Sequence, residues 1–252
     1  MSMFSSASIR IIGLLTICTA IACTGSYSPA TVQYDKVRIT TESPKDKNLE
    51  QLLKPYSDSV NHSMNIVVGE LERELEKKLP EGTLNNLLAD AMQVEASKAF
   101  GVPVDAAFVN YGGVRTSQLP AGPITIGKVY EIMPFDNLLI IQELKGSVLQ
   151  QLLNRIAERG GWPSAGVQFT IKDKKAVDVL VGGKPLDPSA NYIVANSDYI
   201  ANGGDDCDML TPIPQQNKGV LVRDAFLHYF QSITAAGKKI NAQIENRVRY
   251  AQ

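Results

Sequence analysis

The chain has 252 residues, 44% of them hydrophobic and 20% charged. That composition supports one large or two small globular domains and excludes an intrinsically disordered polymer. A formal net charge of -1 provides no broad positive field, so nucleic acid and acidic lipid are set aside as partners.

Residues 1–22 read as an export signal. Arg10 supplies a short positive segment, and the apolar run Ile11 to Ala22 is too short to span a bilayer as a mature helix. The run ends in Ala20-Ile21-Ala22-Cys23, which resembles a bacterial lipoprotein box, with cleavage before Cys23 and lipid attached to it. Ordinary signal cleavage beside the small residues Ala20 and Ala22 is the other reading. Cys18 leaves with the signal and Cys23 takes the lipid, so Cys207 remains alone and no internal disulfide framework is expected. With no histidine nearby, Cys207 reads as a packing residue. Residues 23–48, rich in Ser, Thr, Pro and Lys, form a tether, and residues 49–252 form the folded domain.

From Leu52 to Leu79 the pattern predicts helix with a break at Val67-Val68-Gly69. Glu70 to Lys78 alternates charge at helical spacing with Leu71 and Leu75 on one face. Thr83 is the expected N-cap of a second helix whose stripe is Leu84, Leu87, Leu88, Ala91 and Met92, and Gly101 stops it. Asn85, Asn86 and Asp90, near its start, either cap the helix or face a ligand. A strand over Val102 to Val109 is followed by Asn110-Tyr111-Gly112-Gly113-Val114-Arg115. Glycines at a strand end expose backbone N–H groups, and Arg115 adds a planar donor fork suited to carboxylate or phosphate oxygens. No Gly-x-Gly-x-x-Gly run or P-loop is present.

Ile124 to Met133 reads as another strand, followed by Pro134-Phe135-Asp136-Asn137 and the apolar run Leu138 to Ile141. Phe135 is either a loop aromatic facing a site or a plug in the core. An amphipathic helix then starts at Gly146, with Val148, Leu149, Leu152, Leu153 and Ile156 on one face, and Gly160-Gly161 closes it. Trp162 is expected to be a partly buried loop residue. Val167 to Ile171 and Val177 to Val181 form a hairpin about Asp173-Lys174-Lys175. Gly182-Gly183-Lys184-Pro185 turns the chain toward a strand at Tyr192 to Ala195, which runs into Tyr199 and then Asn202-Gly203-Gly204-Asp205-Asp206. Paired glycines there allow a close backbone approach, with an aromatic before them and carboxylates after. A last amphipathic helix carries Val222, Ala225, Phe226, Tyr229, Phe230 and Ile233 up to Gly237, and a short strand lies near Val248. The alternation is that of an α+β fold.

The three loops at Asn110–Arg115, Pro134–Asn137 and Tyr199–Asp205, in this order and spacing, resemble the C-terminal, substrate-binding domain of the 5′-nucleotidase family. That family includes UDP-sugar hydrolases and 2′,3′-cyclic phosphodiesterases, and the resemblance covers roughly Leu52 to Gln252. It implies a layered αβαβ domain with a mixed sheet and a site for base and ribose. Phe135 and Tyr199 correspond to two rings that sandwich the base. Arg115 and Asn110 correspond to residues holding ribose or phosphate oxygens, and Asp205 to the carboxylate that accepts ribose hydroxyls. Gly112, Gly113, Asn137, Gly203 and Gly204 fall within the same motifs, and Asn86 matches an asparagine in the preceding helix. Four positions depart from the usual motifs. Tyr111 replaces a glycine and narrows the backbone approach, Asp136 replaces a glycine and adds negative charge, Asp206 replaces another, and Tyr199 stands where phenylalanine is common. An upstream cation of the family has only Lys77 or Lys78 as a counterpart.

Full-length relatives carry a separate metallophosphoesterase domain, and two-metal hydrolysis needs clustered Asp, His and Asn ligands. The two histidines here, His62 and His228, lie in no such motif, so no catalytic residue and no cofactor are expected in this chain. The expectation is a nucleoside- or nucleotide-recognition module that serves a separately encoded metallophosphoesterase. Divalent metals would reside only in that partner, and lipid on Cys23 would anchor the exported chain to a membrane. A nucleoside-binding lipoprotein with no enzyme partner is the competing expectation.

Overall fold

The structure is a computed structural model that describes residues 31, 34, 36 and 38–251. The signal segment, Cys23 and most of the tether lie outside the described residues. The first described helix, α1 (Lys47–Met64), buries none of its residues.

Beyond it, β1 (Val67–Leu71) and β2 (Leu75–Glu76) occupy the stretch expected to continue as helix. The four-residue spacing of Leu71 and Leu75 mimics one helical turn, but both side chains are buried because each sits in its own short strand. β1 pairs antiparallel with β5 (Gly122–Thr125), and β2 pairs with β4 (Gln118–Leu119). These long-range ladders override the helix propensity of the Glu/Lys/Leu run.

Helix α2 (Thr83–Phe100) lies between β2 and β3 (Ala106–Phe108). It buries the whole predicted stripe and stops at Gly101, whose left-handed φ of 70° lets its N–H reach Ser97 O. Thr83 is the first helical residue, not the cap: its hydroxyl accepts the Glu76 N–H at 2.9 Å and so joins the helix to β2. The predicted strand at Ile124 to Met133 divides into the end of β5 and a short helix, α3 (Ile126–Ile132), capped by Thr125 Oγ1. Then follow β6 (Leu138–Lys145), α4 (Gly146–Glu158), β7 (Ser164–Ala165), the hairpin β8 (Val167–Lys172) and β9 (Lys175–Val181), and β10 (Lys184–Pro185). Trp162, expected to be half-buried, is only 2% exposed within the α4 core. The chain finishes with β11 (Asn191–Ser197), α5 (Asp198–Ala201), β12 (Gln215–Leu221), α6 (Val222–Ala235) and β13 (Val248–Tyr250).

Two sheets carry the domain, ordered β12-β6-β11-β3-β7 and β10-β9-β8-β13. Both are mixed: β11 runs parallel to β3 but antiparallel to β6, and β13 runs parallel to β8. The inner strands of the five-stranded sheet are buried on both faces, and their residues alternate between two cores as the pleat requires. Ala107, Leu139, Ile141 and Ala195 face the side of α2 and α6. Ala106, Phe108, Leu144 and Val194 face α4 and the second sheet. The resulting order is helices, five-stranded sheet, α4, four-stranded sheet, the αβαβ layering expected for an α+β fold. Edge strand β12 had no counterpart in the sequence reading. Its residues Gln215 to Gly219 are exposed and polar and carry no alternation.

Candidate functional site

Strand direction brings three separated loops together. β3 and β11 are parallel neighbours, so the loops that leave their C-terminal ends, Asn110–Arg115 and Tyr199–Asp205, emerge on one edge of the sheet. β6 runs antiparallel to β11 with Leu139 opposite Ser197, so the loop that enters β6, Pro134–Asn137, arrives at the same edge. Asp198 fastens the second loop to the third: its Oδ1 accepts N–H bonds from Leu138 and Tyr199, each 2.9 Å long.

These loops enclose a cavity of about 370 Å³ lined by Asn110, Gly112, Gly113, Arg115, Phe135, Asn137, Tyr199 and Asp205. That volume falls at the small end of ligand pockets. Phe135 is 38% and Tyr199 45% exposed, so neither ring is spent in a core. Phe135 is a loop aromatic lining the cavity and not a plug in the core. Arg115 lies over the Phe135 ring with its guanidinium carbon 6.0 Å from the centroid, the outer limit of a cation–π contact. One of its N–H groups donates to Gly112 O at 3.2 Å, and the guanidinium carries five such donors in all. Asp205 faces the same space, and its Oδ2 accepts a 2.9 Å bond from Asn110 Nδ2.

The other sequence candidates lie behind this wall. Asn86 is 2% exposed, and its Nδ2 donates to Glu81 Oε1 at 2.6 Å and to Gln243 O at 2.8 Å. It braces α2 against the C-terminal segment and does not line the cavity. Gly203 and Gly204 do not line it either; what comes close to them is protein. A Cβ on Gly204 would stand 2.5 Å from Cε1 and Cζ of Tyr199, so this glycine is the floor on which the tyrosine ring rests. Gly113 has a similar duty, since a Cβ there would meet Asn110 Oδ1 at 2.5 Å.

Two of the motif departures have compensations. Tyr111 packs against the α4 core instead of crowding the cavity. Lys77 covers its ring at 4.2 Å and donates to Val114 O at 2.7 Å. Burial, and then the positive charge of Arg115, hold the Lys77 amine below its ordinary value. Asp136 does not leave a bare negative charge beside Phe135: Arg223 Nη2 donates to it at 2.8 Å, and Nη1 donates to Phe135 O at 3.3 Å. Arg223 also stacks at 4.1 Å on Tyr130, so one cation orients the whole Phe135 loop. Neither Arg223 nor Asp198 carries a sequence signal, because each acts across a tertiary contact.

Comparison with known proteins agrees with the geometry. Residues 62–212, more than half of the chain, match the family model described as 5′-nucleotidase, C-terminal domain. The chain belongs to the 5′-nucleotidase C-terminal domain family. It is 29% identical over 208 residues to the protein UshA of Yersinia enterocolitica, covering 78% of this chain and 36% of the relative. To a 5′-nucleotidase of Vibrio vulnificus it is 30% identical over 189 residues, covering 71% of this chain and 33% of that one. A solved 5′-nucleotidase precursor from Thermus thermophilus superposes with a TM-score of 0.70 at 28% identity, covering 83% of this chain and 44% of the other. This 5′-nucleotidase C-terminal domain thus spans about a third of the length of the curated relatives it matches. Among its described residues, no group of three or more His, Cys, Asp or Glu converges to hold a metal ion. Nor does any described helix have the length and apolarity to cross a membrane.

Proposed function

We propose that this chain recognises the base and ribose of a nucleoside or nucleotide and presents it to a metallophosphoesterase polypeptide during extracytoplasmic nucleotide hydrolysis. The base slots between Phe135 and Tyr199, a contact that tolerates any base and contributes about 1–3 kcal/mol per base. Asp205 accepts the ribose hydroxyls, Arg115 and Asn110 hold ribose or phosphate oxygens, and Gly112 and Gly113 keep the approach open. The partner contributes two divalent metals and the attacking water, since hydrolysis of this kind needs clustered metal ligands. Lipid on Cys23 tethers the exported chain to a membrane.

The observation that carries this reading is the pair of half-exposed rings that line one cavity together with Arg115, Asn110 and Asp205. Titrating the purified chain with adenosine or AMP tests it. A ligand that binds only the folded state raises stability by RT ln(1 + [L]/Kd), about 2.7 kcal/mol at a hundredfold excess over Kd. Phe135→Ala is expected to abolish most of that gain. If neither compound shifts the unfolding transition at millimolar concentration, and Phe135→Ala behaves as the parent does, the proposal fails.

A further inference from the structure

One side chain outside the cavity wall is tied to the carboxylate on it. Arg159 is the C-cap of α4, an element that supplies none of the residues lining the cavity. Its guanidinium spans two successive carboxylates of the third loop: Nη2 donates to Asp206 Oδ2 at 2.6 Å, and Nη1 stands 3.7 Å from Asp205 Oδ1. Those two aspartates share an unusual backbone. Asp205 has φ 55° and Asp206 φ 59°, so consecutive non-glycine residues sit in the left-handed region, which L side chains adopt reluctantly and asparagine or aspartate most readily. Held this way, Asp205 turns its side chain into the cavity while Asp206 turns outward to Arg159.

The consequence lies in how Asp205 distributes its acceptor sites. An ionised carboxylate has about four lone-pair positions. Asn110 fills one on Oδ2 at 2.9 Å, and the Tyr199 hydroxyl lies 3.5 Å from Oδ1. Arg159 approaches from the α4 side and limits the rotation of the group. Asp205 lines the cavity together with Tyr199. A carboxylate has two oxygens, each able to accept more than one bond, and so suits two adjacent hydroxyls better than one.

We propose that Arg159 is a positioning residue for Asp205, and that through it the site selects a sugar with a vicinal 2′,3′-diol over deoxy sugars. This rests on the nucleoside reading above and adds to it the group that enforces sugar specificity. An ordinary surface ion pair would affect every ligand alike or none, whereas a positioning residue acts only on ligands that carry the diol.

The experiment compares adenosine, 2′-deoxyadenosine and 2′,3′-dideoxyadenosine by calorimetric titration of the full chain and of Arg159→Ala, Arg159→Lys and Asp206→Asn. The parent is expected to bind adenosine roughly tenfold or more tightly than the dideoxy compound, since a site built to bond hydroxyls leaves its acceptor without a partner when they are missing. Arg159→Ala should weaken adenosine alone and bring that ratio toward one. Arg159→Lys should restore part of the ratio, and Asp206→Asn should fall between Arg159→Ala and the parent. Because Arg159 is 37% exposed in its side chain, the substitutions are expected to fold, and the lysine variant keeps the test valid should the alanine variant not. An unchanged ratio in Arg159→Ala, or equal weakening of all three ligands, overturns the positioning role. A parent that binds all three equally overturns the diol specificity while leaving nucleoside recognition standing. A parent that binds none removes nucleoside recognition itself, and this inference with it.

Discussion

Tyr199 and Gly204 form a unit in which the smaller member decides where the larger one stands. Gly204 has no positive φ, so its requirement for glycine is steric: an added Cβ would lie 2.5 Å from the ring and 2.6 Å from the Tyr199 carbonyl oxygen. Gly204→Ala is therefore expected to cost about 1–3 kcal/mol through overpacking and to lower adenosine affinity by displacing the ring. Urea denaturation and titration measure the two effects, and an alanine variant matching the parent in both would remove Gly204 from this role. Nearby, Cys207 is fully buried. Burial, and then the negative charge of Asp205, push its thiol from the ordinary 9.0 up to about 11. At pH 8 only about one molecule in a thousand is then thiolate, the form that reacts. Alkylation by iodoacetamide should be slow in the native chain and fast in urea. The sign for stability follows from a folded pKa above the unfolded one: the contribution is complete below pH 9 and is lost as pH rises toward about 11. Cys207→Ala should lack that alkaline loss, which amounts to about 2 kcal/mol, in paired melts at pH 8 and pH 11.

Among the elements, α2 illustrates which features a linear pattern exposes. Its apolar stripe and its glycine stop are local properties, and both match the structure. The polar residues at its start could be read as caps or as ligand contacts, and they became neither: Asn86 grips the backbone at Gln243, and Asp90 forms a two-pronged pair with Arg247 at 2.6 and 2.9 Å. Arg247 is 8% exposed and also donates to Ser164 O, so it clamps α2 and the segment before β13 onto the sheet. Arg247→Ala should destabilise the chain by about 2–3 kcal/mol, less than the loss for a wholly buried pair because Asp90 retains some contact with water. Asp90→Asn with Arg247 retained should cost less. A chemical denaturation series checks both, and an unchanged midpoint for Arg247→Ala would rule out the clamp. The stretch from Glu70 to Lys78 shows the opposite case. Its charges and leucines satisfy a helical period, yet β5 and β4 recruit it as strand, and no window confined to those residues contains its partners.

At the scale of the molecule, the proposed division of labour predicts that this chain, supplied with AMP and Mg²⁺ or Mn²⁺, releases no inorganic phosphate above background. Adding a metallophosphoesterase that lacks a recognition domain should restore release, and Phe135→Ala should diminish it. A colorimetric phosphate assay reads each step, and steady turnover by the chain alone would refute the division. Family membership, the three loop motifs and most helices were legible in the sequence because they depend on short-range order: stripe spacing, glycine stops and loop composition at strand ends. The cavity itself depends on strand direction. Three loops separated by long stretches of chain meet because β3 lies parallel and β6 antiparallel to β11, a pairing between segments distant in sequence. The same holds for Asp198 and Arg223, whose charges look ordinary along the chain and acquire a purpose only where folding sets them 2.9 and 2.8 Å from the loops they hold.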